Sequence, residues 1–108
     1  MSMDSYIHKI AGGEPGGPLL FVFHGTGGDE TQFLDLGGEL LPGAQVIAPR
    51  GDVSEHGSAR YFRRTGEGVY DMADLARATE KMAGFVSAWK KEARPPAVVG
   101  LGYSNGAN

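Results

Sequence analysis

Cysteine is absent from the 108 residues, which removes disulfides, thiolate metal sites and a cysteine nucleophile together and leaves the redox compartment open. Long apolar runs are missing as well. Nothing approaches the ~20 residues of a membrane-spanning helix, and Met1 to Ile10 carries neither the apolar core of a signal peptide nor a basic amphipathic pattern. A soluble, cytoplasmic protein is the expectation. No block of like charge exceeds two or three residues, and 10 lysines and arginines stand against 13 acidic residues, so neither a nucleic-acid nor an anionic-membrane surface is indicated. The length leaves room for one domain or part of one, not two.

Glycine is plentiful, 18 residues, and falls between apolar runs without a period, the pattern of turns and close backbone approaches. Tyr6 to Ile10 alternates Tyr6, His8 and Ile10 against Ile7 and Lys9, which predicts a short edge strand with one buried face. Leu19-Leu20-Phe21-Val22-Phe23 lacks that alternation and predicts a central strand covered on both faces. Asp29 followed by Gln32 resembles a capping box, opening a helix through about Leu41 with Phe33, Leu34, Leu40 and Leu41 on one side and Gly37-Gly38 weakening its middle. Ala44 to Ala48 is the next strand. Gly51 to Val69 shows no period and is expected to be a long functional loop. Asp71 to Arg94 then reads as a helix with Leu75, Ala78, Met82, Phe85 and Trp89 as its core stripe, followed by Pro95-Pro96 and the strand run Ala97 to Leu101. This order gives an α/β fold, a mostly parallel sheet with helices on both faces, whose ligand site lies at the carboxyl ends of the strands.

Two glycine-rich turns fall at such ends. Gly102-Tyr103-Ser104-Asn105-Gly106 has a serine at a strand-to-helix elbow, where Gly102 and Gly106 must be small and Ser104 Oγ projects as a candidate nucleophile. The Asn105 N–H, with one from the turn His24-Gly25-Thr26-Gly27-Gly28, could bind the oxyanion of acyl transfer. That turn does not read as a nucleotide cradle: Glu30 stands where a third glycine would be needed, and no Lys-Ser/Thr pair follows. None of the three histidines is well placed as a general base. His8 lies in the edge strand, His24 braces its turn, and His56 sits in the long loop, either solvated or near the pocket. No two of His24, His56 and Asp29 have metal-ligand spacing on a common element. Arg60-Tyr61-Phe62-Arg63-Arg64 is the one concentrated basic and aromatic group. It either anchors a loop, through bidentate bonds to acids such as Glu67 or Asp71, or lines the cleft, with Phe62 and Arg64 as pocket residues.

The motifs His24 to Glu30 and Gly102 to Asn108 together resemble the α/β-hydrolase superfamily in its small phospholipase/carboxylesterase branch, which includes acyl-protein thioesterases. Pro49-Arg50-Gly51, Arg60 to Arg64 and Gly68-Val69-Tyr70-Asp71 resemble a bacterial subgroup of that branch. The resemblance implies a serine esterase with Ser104 as nucleophile and the Thr26 and Asn105 N–H groups as oxyanion hole. It also implies small carboxylic ester or thioester substrates and no cofactor or metal, and it leaves a homodimer open. In this superfamily the acid and histidine follow the serine in chain order. The 108 residues are therefore expected to be the amino-terminal part of a single domain of about twice the length, inactive alone. The competing reading is a non-catalytic module of the same fold that binds a small anion through its arginine-rich segment.

Overall fold

The run Leu19–Phe23 forms β2, the strand on which the rest of the sheet is laid. The computed structural model describes residues 3–66 and 69–108, and among them the main sheet has four strands. β2 lies between two parallel neighbours, β3 (Gln45–Pro49) and β8 (Val98–Gly102), and β1 (His8–Gly12) joins β3 antiparallel at the far edge, giving the order β1-β3-β2-β8. Successive residues of β2 serve opposite faces, which is why the run is apolar throughout. Leu19 and Phe21 join Ile47 in a cluster with Tyr6, Tyr61 and Phe62 beneath the long helix α2 (Met72–Ala93), while Leu20 and Val22 join Val46 and Ala48 under the short helix α1 (Leu34–Leu40). Each such fully buried side chain stabilises the fold by about 1.5–3 kcal/mol.

α2 spans Met72–Ala93, close to the predicted limits, and its ends follow from chemistry at both caps. The Asp71 carboxylate accepts from the Asp74 N–H at 3.0 Å, and Arg94 ends the helix in the left-handed region at φ +46° ahead of Pro95. Ala78, Phe85 and Trp89 are buried in the core, and Leu75 and Met82 pack at its margin.

Several expectations need correction. β1 begins two residues late, because Tyr6 turns into the core against Phe85, ring centroids 5.4 Å apart, before pairing with β3 begins. Ile10 sits opposite Ile47 on the α2 side yet is 44% exposed at the sheet's outer edge. α1 covers only Leu34–Leu40. The Asp29 carboxylate accepts from both the N–H and the hydroxyl of Thr31, which closes a local turn, and Gln32 reaches away from Asp29, so no capping box forms. Leu40 faces solvent, whereas Phe33, Leu34 and Leu41 pack on the sheet. Gly37 has a use that its cost in helix propensity conceals: a Cβ there would stand 3.0 Å from Val46 Cγ1, so the glycine lets α1 lie close on β3.

The segment expected to be a structureless loop holds two small hairpins. β4 (Val53–Glu55) pairs antiparallel with β5 (Ser58–Arg60) across His56-Gly57, both at positive φ (+51° and +86°), the requirement of a tight two-residue hairpin turn. β6 (Arg64–Gly66) pairs with β7 (Val69–Tyr70). Strands of two or three residues are too short to show a period.

Candidate active site

β2 and β8 run parallel in a register that sets Phe23 beside Gly102, so the two glycine-rich turns leave the sheet side by side. The Tyr103 N–H donates to the Phe23 carbonyl at 3.1 Å and extends the ladder by one bond past the strands. Ser104 follows at φ +54°, the left-handed region that non-glycine residues seldom occupy, and a 3-10 turn, Ser104–Ala107, stands where the first residues of a helix were expected. The glycines flanking the elbow have no room for a side chain. A Cβ on Gly102 would lie 2.6 Å from the Gly106 carbonyl oxygen, and one on Gly106 would lie 2.4 and 2.5 Å from the carbonyl oxygens of His24 and Phe23. Gly25 touches the elbow from the other side: its missing Cβ would be 2.9 Å from the Tyr103 ring and 3.3 Å from Ser104 Cβ.

Ser104 is exposed, and among the described residues none accepts from the N–H of Thr26 or of Asn105. The turn that carries Thr26 is held from three directions. Gln32 Oε1 accepts from the Gly25 N–H at 3.2 Å, the Gly28 N–H closes on the Gly25 carbonyl at 3.0 Å, and Arg60 Nη1 donates to Thr26 Oγ1 at 2.5 Å. His24 lies beneath, 2% exposed. Its Nε2 accepts from the Gly51 N–H at 2.9 Å, which leaves Nδ1 to donate to the Gly25 carbonyl at 2.8 Å; both ring nitrogens are spent on structure. Tyr61 stacks on His24 with centroids 4.7 Å apart, donates to the Pro49 carbonyl at 2.7 Å and accepts from the His24 N–H. Burial raises the Tyr61 phenol above its ordinary range and keeps it a donor. The Tyr61 N–H in turn donates to Asn105 Oδ1 at 2.7 Å, so the aromatic next to Arg60 links both turns.

The chain superimposes over its whole length on 53% of Atu2452, a protein of unknown function from Agrobacterium tumefaciens, with 60% identity and a TM-score of 0.93. It covers 50% of a carboxylesterase from Bacillus cereus through 94% of its own length, with 37% identity and a TM-score of 0.86. The chain has an α/β-hydrolase fold. The Bacillus subtilis protein MhqD, which carries a provisional hydrolase name, is 40% identical over 92 residues, 83% of this chain and 46% of MhqD. The chain thus spans about half the length of the relatives it matches. No family model matches it.

In this α/β-hydrolase chain the sequence-predicted residues do not all converge. A cavity of about 540 Å³ between α2 and the elbow is lined by Phe62, Leu75, Met82, Asn105 and Gly106, but by neither Ser104 nor Thr26. Phe62 therefore lies beneath the elbow. Arg64 lies elsewhere, beside Val53 and His56, with its guanidinium spread over both oxygens of Glu55. Of the acids proposed as arginine partners, Asp71 caps α2 instead, and Glu67 lies outside the described residues, as does Gly68. His8 packs edge-on against Phe85 and Trp89, and His56 occupies a hairpin tip; no hydrogen bond joins either to Ser104 among the described residues. There is also no cluster of three metal-ligating side chains among them, nor a helix long and apolar enough to cross a membrane.

Sequence reasoning missed the supports of the turn: Gln32, Gly51 and Arg60. The signal for Gly51 was present in Pro49-Arg50-Gly51, which ties the turn twice, by the Gly51 N–H and by Arg50 to the buried Glu30 at 2.9 Å. Gly51 must also be glycine, since a Cβ would lie 2.3 Å from the Arg60 carbonyl.

The segments flanking the hairpins are fastened to α2 through charged side chains. Arg77 and Lys81 bond Asp52, just before β4, at 3.0 and 2.6 Å, and Asp74, held within the helix by Arg77 at 2.7 Å, accepts from the Arg63 N–H just before β6 at 2.6 Å. The Arg77 hydrogen bond holds the Asp74 carboxyl below its ordinary range. A folded value depressed in this way contributes stability that is complete above about pH 5 and is lost as pH falls through the folded value, since below it both states are protonated. Arg77→Met is expected to raise the midpoint of acid unfolding by a few tenths of a pH unit, read by far-ultraviolet circular dichroism across pH 2–6; an unchanged midpoint would show that the pair does not couple folding to pH.

Proposed function

We propose that this chain supplies the nucleophile and the oxyanion hole of a serine hydrolase acting on small carboxylic esters or thioesters. The observation that carries the reading is the meeting of two motifs some eighty residues apart: Ser104, exposed at φ +54°, stands against a turn whose Thr26 N–H has no acceptor among the described residues, next to an elbow whose Asn105 N–H has none either. Ser104 Oγ attacks the acyl carbon and yields its proton to a base. The carbonyl oxygen becomes an oxyanion that accepts from Thr26 and Asn105. Collapse expels the alcohol or thiol, which takes the proton, and water then releases the acid from Ser104 by the same path.

His24 is not that base, because both of its nitrogens are bonded within the scaffold. In the superfamily the acid and the histidine follow the serine. The relatives are about twice as long, so in a protein of their length both belong to residues after Asn108, and the 108 residues alone are expected to be inactive. A small-anion module of the same fold would need free arginines at the cleft, whereas Arg64 binds Glu55 and Arg60 binds Thr26. The hydrolase names of MhqD and the B. cereus carboxylesterase support the catalytic reading.

The test is covalent. A full-length protein treated with an organophosphonate is expected to gain one phosphonyl group, located by peptide mass spectrometry on Ser104. A folded protein that takes no label there would remove this reading in favour of the non-catalytic module.

A further inference from the structure

Arg60 is 3% exposed, so its guanidinium has been taken almost wholly out of water. A cation is tolerated in such a place only where its donors are met. Nε donates to the Phe62 carbonyl at 3.0 Å, Nη1 donates to Thr26 Oγ1 at 2.5 Å, and the guanidinium lies 5.7 Å from the Phe62 ring centroid. Glu55 is a distant partner at 3.7 Å, already held closely by Arg64. The bond to Thr26 is the one that leaves the hairpin and enters the oxyanion turn.

We propose that Arg60 is a positioning residue for the hydrolysis described above, aiming the Thr26 N–H by holding the Thr26 side chain; the inference rests on that reading. From Gly25 to Gly28 the turn is Gly-Thr-Gly-Gly, with Gly27 at φ +88°, so the backbone is soft and Thr26 is the only residue with a side chain by which it can be held. Gln32 fixes the N–H before Thr26, and Arg60 fixes Thr26 itself. An oxyanion donor contributes only if it is aimed before charge develops, and a displacement of about 1 Å costs on the order of 100-fold in rate. A planar fork is the right shape for this role. Nε anchors to the carbonyl of Phe62 while Nη1 points to Thr26, two directions that a single lysine nitrogen cannot serve together.

The experiment uses the full-length protein, p-nitrophenyl acetate as probe, and organophosphonate titration to count competent Ser104 sites. Arg60→Met is expected to lower kcat per titrated site roughly 10- to 100-fold while KM stays within about twofold, and Arg60→Lys to fall between it and wild type. Arg77→Met, which loosens the same hairpins from α2, is expected to keep kcat per titrated site. If Arg60 is only a structural brace, the number of titrated sites falls while those remaining turn over at the wild-type rate; that result overturns the proposal. So does an equal fall in kcat for Arg77→Met, which would mark general loosening. Should Arg60→Met not fold, Arg60→Lys decides alone: reduced kcat at unchanged KM supports the proposal and wild-type kcat overturns it. A wild-type protein that takes no label on Ser104 removes the hydrolase reading, and the positioning role with it.

Discussion

Ser104→Ala, in a protein of the relatives' length, is expected to lower kcat for ester hydrolysis by roughly 10⁵- to 10⁶-fold, and Ser104→Gly by the same factor. The two variants should differ in stability. Serine and alanine both carry a Cβ into φ +54°, a conformation that costs a side-chain-bearing residue about 1–2 kcal/mol, whereas glycine adopts it freely. Part of that relief is returned through the greater freedom of glycine in the unfolded chain, about 0.4–1 kcal/mol. The glycine variant is therefore expected to be the more stable of the two by about 0.5–1 kcal/mol in urea unfolding, with unchanged m-value. Equal stabilities would show that the elbow is unstrained. Residual hydrolysis within tenfold of wild type in both would remove Ser104 as nucleophile.

The second large effect is one of fold. Gly106→Ala is expected to destabilise the protein by about 3 kcal/mol or more, lowering Tm by roughly 6–12 °C in a domain of about 200 residues, and to abolish turnover in what remains folded. A Cβ at this position would lie within 2.5 Å of two backbone carbonyl oxygens, those of His24 and Phe23, and neither can swing aside as a flexible side chain could. The elbow would have to back away from β2. That movement would separate Ser104 from the turn carrying Thr26, so stability and rate should fall together. Gly100→Ala supplies the contrast, since among the described residues its Cβ would meet only the Phe23 ring at an ordinary 3.7 Å; it is expected to change stability by less than about 0.5 kcal/mol. Thermal melts of both variants decide the matter, and a Gly106→Ala protein that melts with wild type would refute the packing argument.

What could be read from the residues alone divides along physical lines. β2 and α2 were legible because their burial is periodic or continuous over enough residues to register, and both glycine-rich turns because each ends an apolar run. α1 was overdrawn because Asp29 and Gln32 have cap-forming chemistry that is used otherwise, one in a local turn and the other on Gly25. The hairpins of residues 53–70 escaped notice since their strands are too short to display a pattern. For the site, the glycines and the serine announce themselves by type and spacing. The partners that hold them do not: the bonds Arg60 to Thr26, Gly51 to His24 and Tyr61 to Asn105 join residues 27 to 44 positions apart, and no local spacing encodes a hydrogen bond across a fold.

The pairing of Phe23 with Gly102 also orders events in time. At the ordinary pace of synthesis, about 5–20 residues per second, the serine leaves the ribosome roughly 4–16 s after the turn it must meet. Through that interval one edge of β2, a run of five large apolar residues without charge or proline, has no strand to pair with. Such a segment is what passing chains and chaperones bind. The closure of about eighty residues that covers it is also the step that first brings Ser104 beside Gly25, so the nascent chain shields its exposed edge and assembles the two turns of the candidate site in the same event.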